Sequence, residues 1–288
     1  MKHLWILLAL AVVTGAIAND AKQEAKNDED KPKRQMLFTI FRPIMHDIGS
    51  RNTEKAEVVS GPVEMKMANN KQPGKQWWVR LDQSKFKVTI EDSAGLTLTN
   101  ALVCAERIPT VYLRALEVVS EDEKAGLAFY KTLGGAAAHG GQSYLNMIPL
   151  KPARAASVIV HEAGHILEQR ARNTDKDILE KWAEAVKKDN IDVSNYGNGA
   201  NHEDQADFAR IYAFCSDQTL GSNRLAELRE FSPARFDLWE NMLTLAGARQ
   251  ADAPAPAKSR DYSEQWKKRI KQLEDNLEAA RATRDHGA

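Results

Sequence analysis

The stretch Val160-His161-Glu162-Ala163-Gly164-His165-Ile166 constrains this chain more than any other, because it sets an HExxH pattern inside an apolar run. On an α-helix, residues four apart share a face, so His161 and His165 can direct two imidazole nitrogens at one metal ion while Glu162 reaches a water beside it. On an ordinary surface helix, two His and a Glu would need no further account. Here Val158, Ile159, Val160, Ala163, Ile166 and Leu167 make the helix apolar nearly all round, and such a helix is buried. Burying these polar side chains without partners is costly, and a bound metal satisfies them. The pattern is that of a zinc hydrolase.

With 288 residues the chain can bury a sizeable core. Lys plus Arg and Asp plus Glu both total 40, a balance in which nothing argues for nucleic acid or an acidic membrane surface as partner, and neither is expected. Residues 1–18 read as a secretory signal. Lys2 supplies the positive start, Leu4 to Val13 the apolar segment, and Ala16-Ile17-Ala18 a small-residue cleavage site. A membrane anchor needs about 20 apolar residues, and Leu4 to Ala18 provides 15. The expectation is a secreted, periplasmic or extracellular protein that makes no membrane contact after cleavage. In such a compartment the two cysteines, Cys104 and Cys215, could form one disulfide; the plain alternative is two buried small apolar residues.

Residues 19–35 are charged or small and polar, and read as a disordered leader. Residues 36–250 read as one α+β domain, strand-rich over 36–150 and helical over 151–250. Strands are expected at Met36 to Phe41, Ala56 to Val59, Trp77 to Val79, Phe86 to Ile90, Leu96 to Val103 and Val111 to Leu116, separated by turn residues. Ser120, followed by three acids, predicts the cap of a short helix to Leu133. A glycine-rich loop over residues 134–141 carries His139, which is either ordinary surface or a site residue, and Ser143 to Ile148 is a strand. Helices follow from Pro152 to about Ala171, from Thr174 to about Lys188, from Glu203 to Cys215 with Asn201 as cap, and within Leu225 to Ala248. After the Ala253-Pro254-Ala255-Pro256 spacer, Trp266, Ile270, Leu273, Leu277 and Ala280 mark a C-terminal amphipathic helix, suited to self-association or to docking on the domain.

A catalytic zinc takes three protein ligands and keeps one position open. A third His at the spacing HExxHxxGxxH is excluded, because Glu168 and Ala171 occupy the Gly and His positions. Glu203 is the favoured third ligand, since it begins a helix that can pack on the HExxH helix, with Asp207 one turn later to accept the free N–H of a ligand His. Acids in a first helical turn are also favoured by the helix dipole alone. His202 and then Asp192 are the other candidates.

His161-Glu162-Ala163-Gly164-His165, Tyr196, and Glu203 to Ala209 together resemble the gluzincin metallopeptidases, most nearly the group related to the catalytic domain of anthrax lethal factor. In that family a tyrosine lies seven residues before the glutamate ligand and a second acid four after it, spacings that Tyr196, Glu203 and Asp207 reproduce. The resemblance spans about Gly134 to Cys215. It departs at Asp207, commonly glutamate there, and at Gln205, where an aromatic is common. It implies a zincin-like fold, a strand-rich N-terminal lobe over a helical C-terminal lobe carrying the HExxH helix, with an edge strand at Tyr144 to Ile148 above the metal.

The expected activity is zinc-assisted hydrolysis of a peptide or protein substrate. His161, His165 and Glu203 hold the metal, Glu162 is the general base, and Tyr196 stabilises the developing oxyanion. Two other classes stand beside it: an inactive zinc-binding or interaction protein on the same scaffold, which would not require Glu162, and an interaction protein organised by its C-terminal helix.

Overall fold

The computed structural model describes residues 36–41, 55–197, 199–216 and 224–249. The signal and leader expected over 1–35 and the linker and amphipathic helix of 251–288 lie outside them. Among the described residues, no helix is long and apolar enough to cross a membrane.

The protein is α+β. The described residues hold six strands, β1 (Glu57–Lys66), β2 (Pro73–Leu81), β3 (Ser84–Glu91), β4 (Leu127–Phe129), β5 (Ala138–Gly141) and β6 (Tyr144–Met147). They form one sheet in the order β1-β2-β3-β4-β6-β5. The central pairs β3/β4 and β4/β6 are parallel, and the outer pairs are antiparallel. Parallel register puts Val88, Leu127 and Leu145 in one cross-strand row and Ile90, Phe129 and Met147 in another. All six are buried, and so are Thr89, Ala128 and Asn146, which alternate with them and point to the opposite face of the sheet.

Among the described residues, eight α-helices accompany the sheet: α1 (Leu37–Phe41), α2 (Leu98–Ala105), α3 (Thr110–Val118), α4 (Pro152–Thr174), α5 (Ile178–Asp189), α6 (Asn201–Cys215), α7 (Arg224–Phe231) and α8 (Pro233–Leu245). The HExxH helix is α4, with Pro152 in its first turn as its fixed φ favours. Residues of strands and helices share one apolar cluster, so the strand-rich and helical halves are joined by a continuous core.

Four local expectations are corrected. Within Met36 to Phe41, Leu37–Phe41 forms the helix α1, with Leu37 and Phe41 buried one turn apart, and Met36 before it is bridged to Asp192. Leu96 to Val103 and Val111 to Leu116 are largely helical: Thr97 caps α2 by accepting from the Asn100 N–H, and buried residues recur at helical steps in both. Apolar runs of this length do not by themselves separate strand from helix. Ser120 caps nothing; its hydroxyl accepts from the Lys87 N–H at 2.8 Å and donates to the Leu116 carbonyl at 2.6 Å. The chain then turns through Gly126 (φ +74°), where a Cβ would lie 2.2 Å from the Lys87 oxygen, into β4. Finally, β6 is interior; among the described strands the edge on that side is β5, inside the stretch read as a loop.

Cys104 in α2 and Cys215 in α6 are buried as thiols without a disulfide, and burial pushes the Cys104 thiol up to about 11. Trp77 packs on the core, while Lys85 and Lys87 lie over Trp78 at 4.9 and 5.0 Å.

Candidate metal centre

The centre is assembled where α6 crosses α4. A Cβ on Gly164 would lie 2.9 Å from the Ala209 Cβ and 3.0 Å from the Ala206 Cα, so the bare backbone of Gly164 permits the two helices to touch. That approach delivers Glu203, in the first turn of α6, to the two histidines of α4. Its Oε2 lies 3.1 Å from His161 Nε2 and 3.6 Å from His165 Nε2. One donor atom from each of the three lies within 4.8 Å of the others, a cluster that can hold a metal ion.

Asp207, one turn along α6, faces the other side of the same imidazole, its Oδ1 3.0 Å from His161 Nδ1. With Nδ1–H donated to Asp207, the proton that His161 gives up on becoming neutral is the one on Nε2, which leaves that nitrogen free for a metal. Asp207 is itself held: Ser194 donates to its Oδ2 and Arg210 to its Oδ1 at 3.0 Å. Arg210, three residues on, was readable as a helical partner; Ser194 comes from a loop and carries no sequence signal.

Asp204, beside Glu203, fixes α6 from behind. It accepts from Trp182 Nε1 at 2.9 Å and from Arg235 at 2.9 and 3.2 Å, and Arg235 is wholly buried. Asp189, the last residue of α5, accepts from the backbone N–H groups of Ala234 and Arg235 and from Ser232, which caps α8 from another element. These contacts lock α5, α6 and α8 together and thereby set the position of Glu203.

Charge follows geometry. Burial opposes a charged His161, but its hydrogen bonds to Asp207 and Glu203 outweigh this and raise it to about 9. Burial likewise opposes a charged Glu203, yet contact with His161 and His165 holds it well below the usual carboxylate range. Glu162 is pushed the other way, its carboxyl raised by burial against the opposing pull of both histidines. Burial, then the nearby carboxylates Glu203, Glu162 and Asp207, raise the Tyr196 hydroxyl.

A cleft of about 460 Å³ opens over the cluster. Its floor is the face of α4 bearing His161, Glu162, His165, Glu168 and Arg172, and its upper wall includes His139 and Gly140 of β5. Gly140 sits directly above the glutamate; a Cβ there would lie 2.8 Å from Glu162 Oε2. Tyr196 enters from the loop before α6, 66% exposed, its ring centroid 6.1 Å from that of His161. His202 also lines the cleft, with Nε2 3.4 Å from the second oxygen of Glu203. Asp192, the third-ranked candidate, instead bridges to Met36 through its backbone.

Compared with protein-family models, with curated proteins and with solved structures, the chain matches none.

Proposed function

We propose that this protein is a secreted zinc-dependent metallopeptidase of zincin-like fold. The observation that carries the reading is the meeting of His161, His165 and Glu203 within 4.8 Å, with Glu162 beside them on the floor of an open cleft. Two imidazoles and one carboxylate are a donor set that suits zinc and leaves a coordination position for water. Zinc bound there would act as a Lewis acid, lowering the pKa of a water from about 16 towards 7 and polarising a substrate carbonyl.

The chain's own residues supply the rest. Glu162, its carboxyl raised by burial, takes the proton of the attacking water on its carboxylate and returns it to the departing amine. Tyr196, its hydroxyl kept protonated, donates a hydrogen bond to the carbonyl oxygen as that oxygen becomes negative. A peptide substrate is favoured by β5, which among the described residues pairs with β6 alone and so offers a backbone edge beside the cleft. Gly140, with no side chain, lets the β5 backbone pass over Glu162 without a Cβ meeting its carboxylate.

The test is metal analysis of the purified protein beside cleavage of a mixed peptide pool, with Glu162→Gln as control. The expected outcome is about one zinc per chain in both proteins, and cleavage by the wild type lowered at least about a hundredfold in the variant. Zinc in both with identical peptide profiles would leave a zinc-binding protein that is no enzyme. Failure to bind zinc from excess would remove the centre altogether.

A further inference from the structure

We propose that Arg172, anchored by the buried carboxylate of Glu168, forms a subsite for a carboxylate on the bound peptide, within about three residues of the bond to be cut. Its distance from the cut bond rests on the peptidase reading; recognition of the carboxylate needs only the cleft.

His161, His165, Glu168 and Arg172 follow one another at steps of four, three and four residues, so they share one face of α4, and all four line the cleft. Glu168 is only 3% exposed. Its Oε1 lies 3.1 Å from Arg172 Nε, yet the two are not aligned as a hydrogen bond, and that oxygen has no hydrogen-bond partner. The helix dipole accounts for an arginine in a last turn. It does not account for an almost fully buried carboxylate beneath that arginine on a cleft floor, which is costly unless a countercharge stays with it.

Arg172 supplies that countercharge through one edge of its guanidinium while 38% of its side chain stays exposed. No second acid pairs with it among the described residues. A guanidinium has five N–H donors in a planar fork, and one edge engaged by an acid leaves donors suited to a ligand carboxylate. A cationic ligand is disfavoured, because it would have to displace Arg172 to reach Glu168. The seven residues from His165 to Arg172 span about 10 Å of helix, and an extended peptide covers that in about three residues. Gln142, in the β5–β6 turn, donates to Asn173 at 3.2 Å and keeps the edge strand alongside this end of α4.

The carboxylate could come from an Asp or Glu side chain or from the peptide's own C-terminus. The test uses the zinc-loaded, full-length Glu162→Gln protein, which holds peptides without cutting them, and fluorescence anisotropy. Labelled hexapeptide pools carry Glu or Gln at one fixed position, each as the C-terminal amide, with the Gln pools also made as free acids. At one position the Glu pool should bind about tenfold more tightly than the Gln pool. Adding Arg172→Gln should reduce that advantage below about twofold, and Arg172→Lys should keep only part of it. A gain confined to the free-acid pools assigns the subsite to a chain terminus. Equal binding of Glu, Gln and free-acid pools, binding by none of them, or an advantage that survives both Arg172 substitutions would overturn the proposal. Should Arg172→Gln fail to fold, the Arg172→Lys comparison decides alone. Cleavage by the wild type is scored separately, so its absence with the Glu advantage intact rejects the peptidase reading and leaves the subsite standing.

Discussion

Gly164→Ala adds a single methyl group at the point where α4 and α6 touch. The new carbon would lie 2.9 Å from the Ala209 Cβ and 3.0 Å from the Ala206 Cα. Carbon atoms pack at about 3.5–4.0 Å, so α6 must retreat by roughly 0.5–1 Å. Neither neighbour is the tip of a flexible side chain, and nothing can swing aside. Glu203 stands less than one turn before Ala206, so the retreat draws its carboxylate away from histidines now 3.1 and 3.6 Å distant. Metal–ligand distances tolerate only about 0.2 Å. The methyl gains up to about 1 kcal/mol of helix propensity against an overpacking cost of about 1–3 kcal/mol. The variant should therefore be destabilised by about 0–2 kcal/mol. It should also bind zinc about ten- to a hundredfold more weakly, or about 1.4–2.7 kcal/mol. Competition with a chromogenic chelator measures the second quantity, and thermal unfolding of the metal-free protein the first. A variant that keeps full zinc affinity and melts higher than the wild type would refute the argument that close helix approach at Gly164 assembles the centre.

Other perturbations probe other links. Asp207→Asn should weaken zinc binding about 10- to 100-fold by loosening the His161 tautomer, measured calorimetrically; unchanged affinity would mean that Asp207 does not orient the ring. Because His161 is raised from 6.5 to about 9, its charged form contributes stability to the metal-free protein that is fully present below about pH 6.5 and lost as pH rises through about 9. Zinc requires the neutral ring, so its affinity should move the opposite way, climbing about tenfold per pH unit from pH 7 and levelling near pH 9; a flat profile from chelator competition would contradict this. Arg235→Met strands Asp204 in the core and should cost about 3–5 kcal/mol in denaturant unfolding, whereas a loss under about 1 kcal/mol would show that the buried pair does not hold α6.

The HExxH helix was legible in the sequence because its information is local: a four-residue spacing fixes which side chains share a face, and the apolar residues around it fix burial. Pro152 in its first turn was readable as well, and so were the helices that follow, although Thr174 ends α4 instead of capping α5 and Asn201 opens α6 without capping it. The N-terminal half was read less well, because short apolar runs suit a buried strand and a buried helix alike; Leu98–Ala105 and Thr110–Val118 became helices through a cap and through packing that no local pattern reveals. Ser120 carried a correct polar signal attached to the wrong partner, since the β3 backbone that claims its hydroxyl is 33 residues away. At the centre, the sequence by itself picked out two candidate donors and a candidate base, and it offered Glu203 among several acids and His202. Only tertiary structure brought Glu203 to 3.1 Å from His161, because that distance depends on α6 crossing α4 at Gly164 and on Arg235 gripping Asp204. It also decided that β5 rather than β6 forms the free edge, and that Glu168 lies buried under Arg172, since strand order and burial are set by which surfaces meet and not by spacing along the chain.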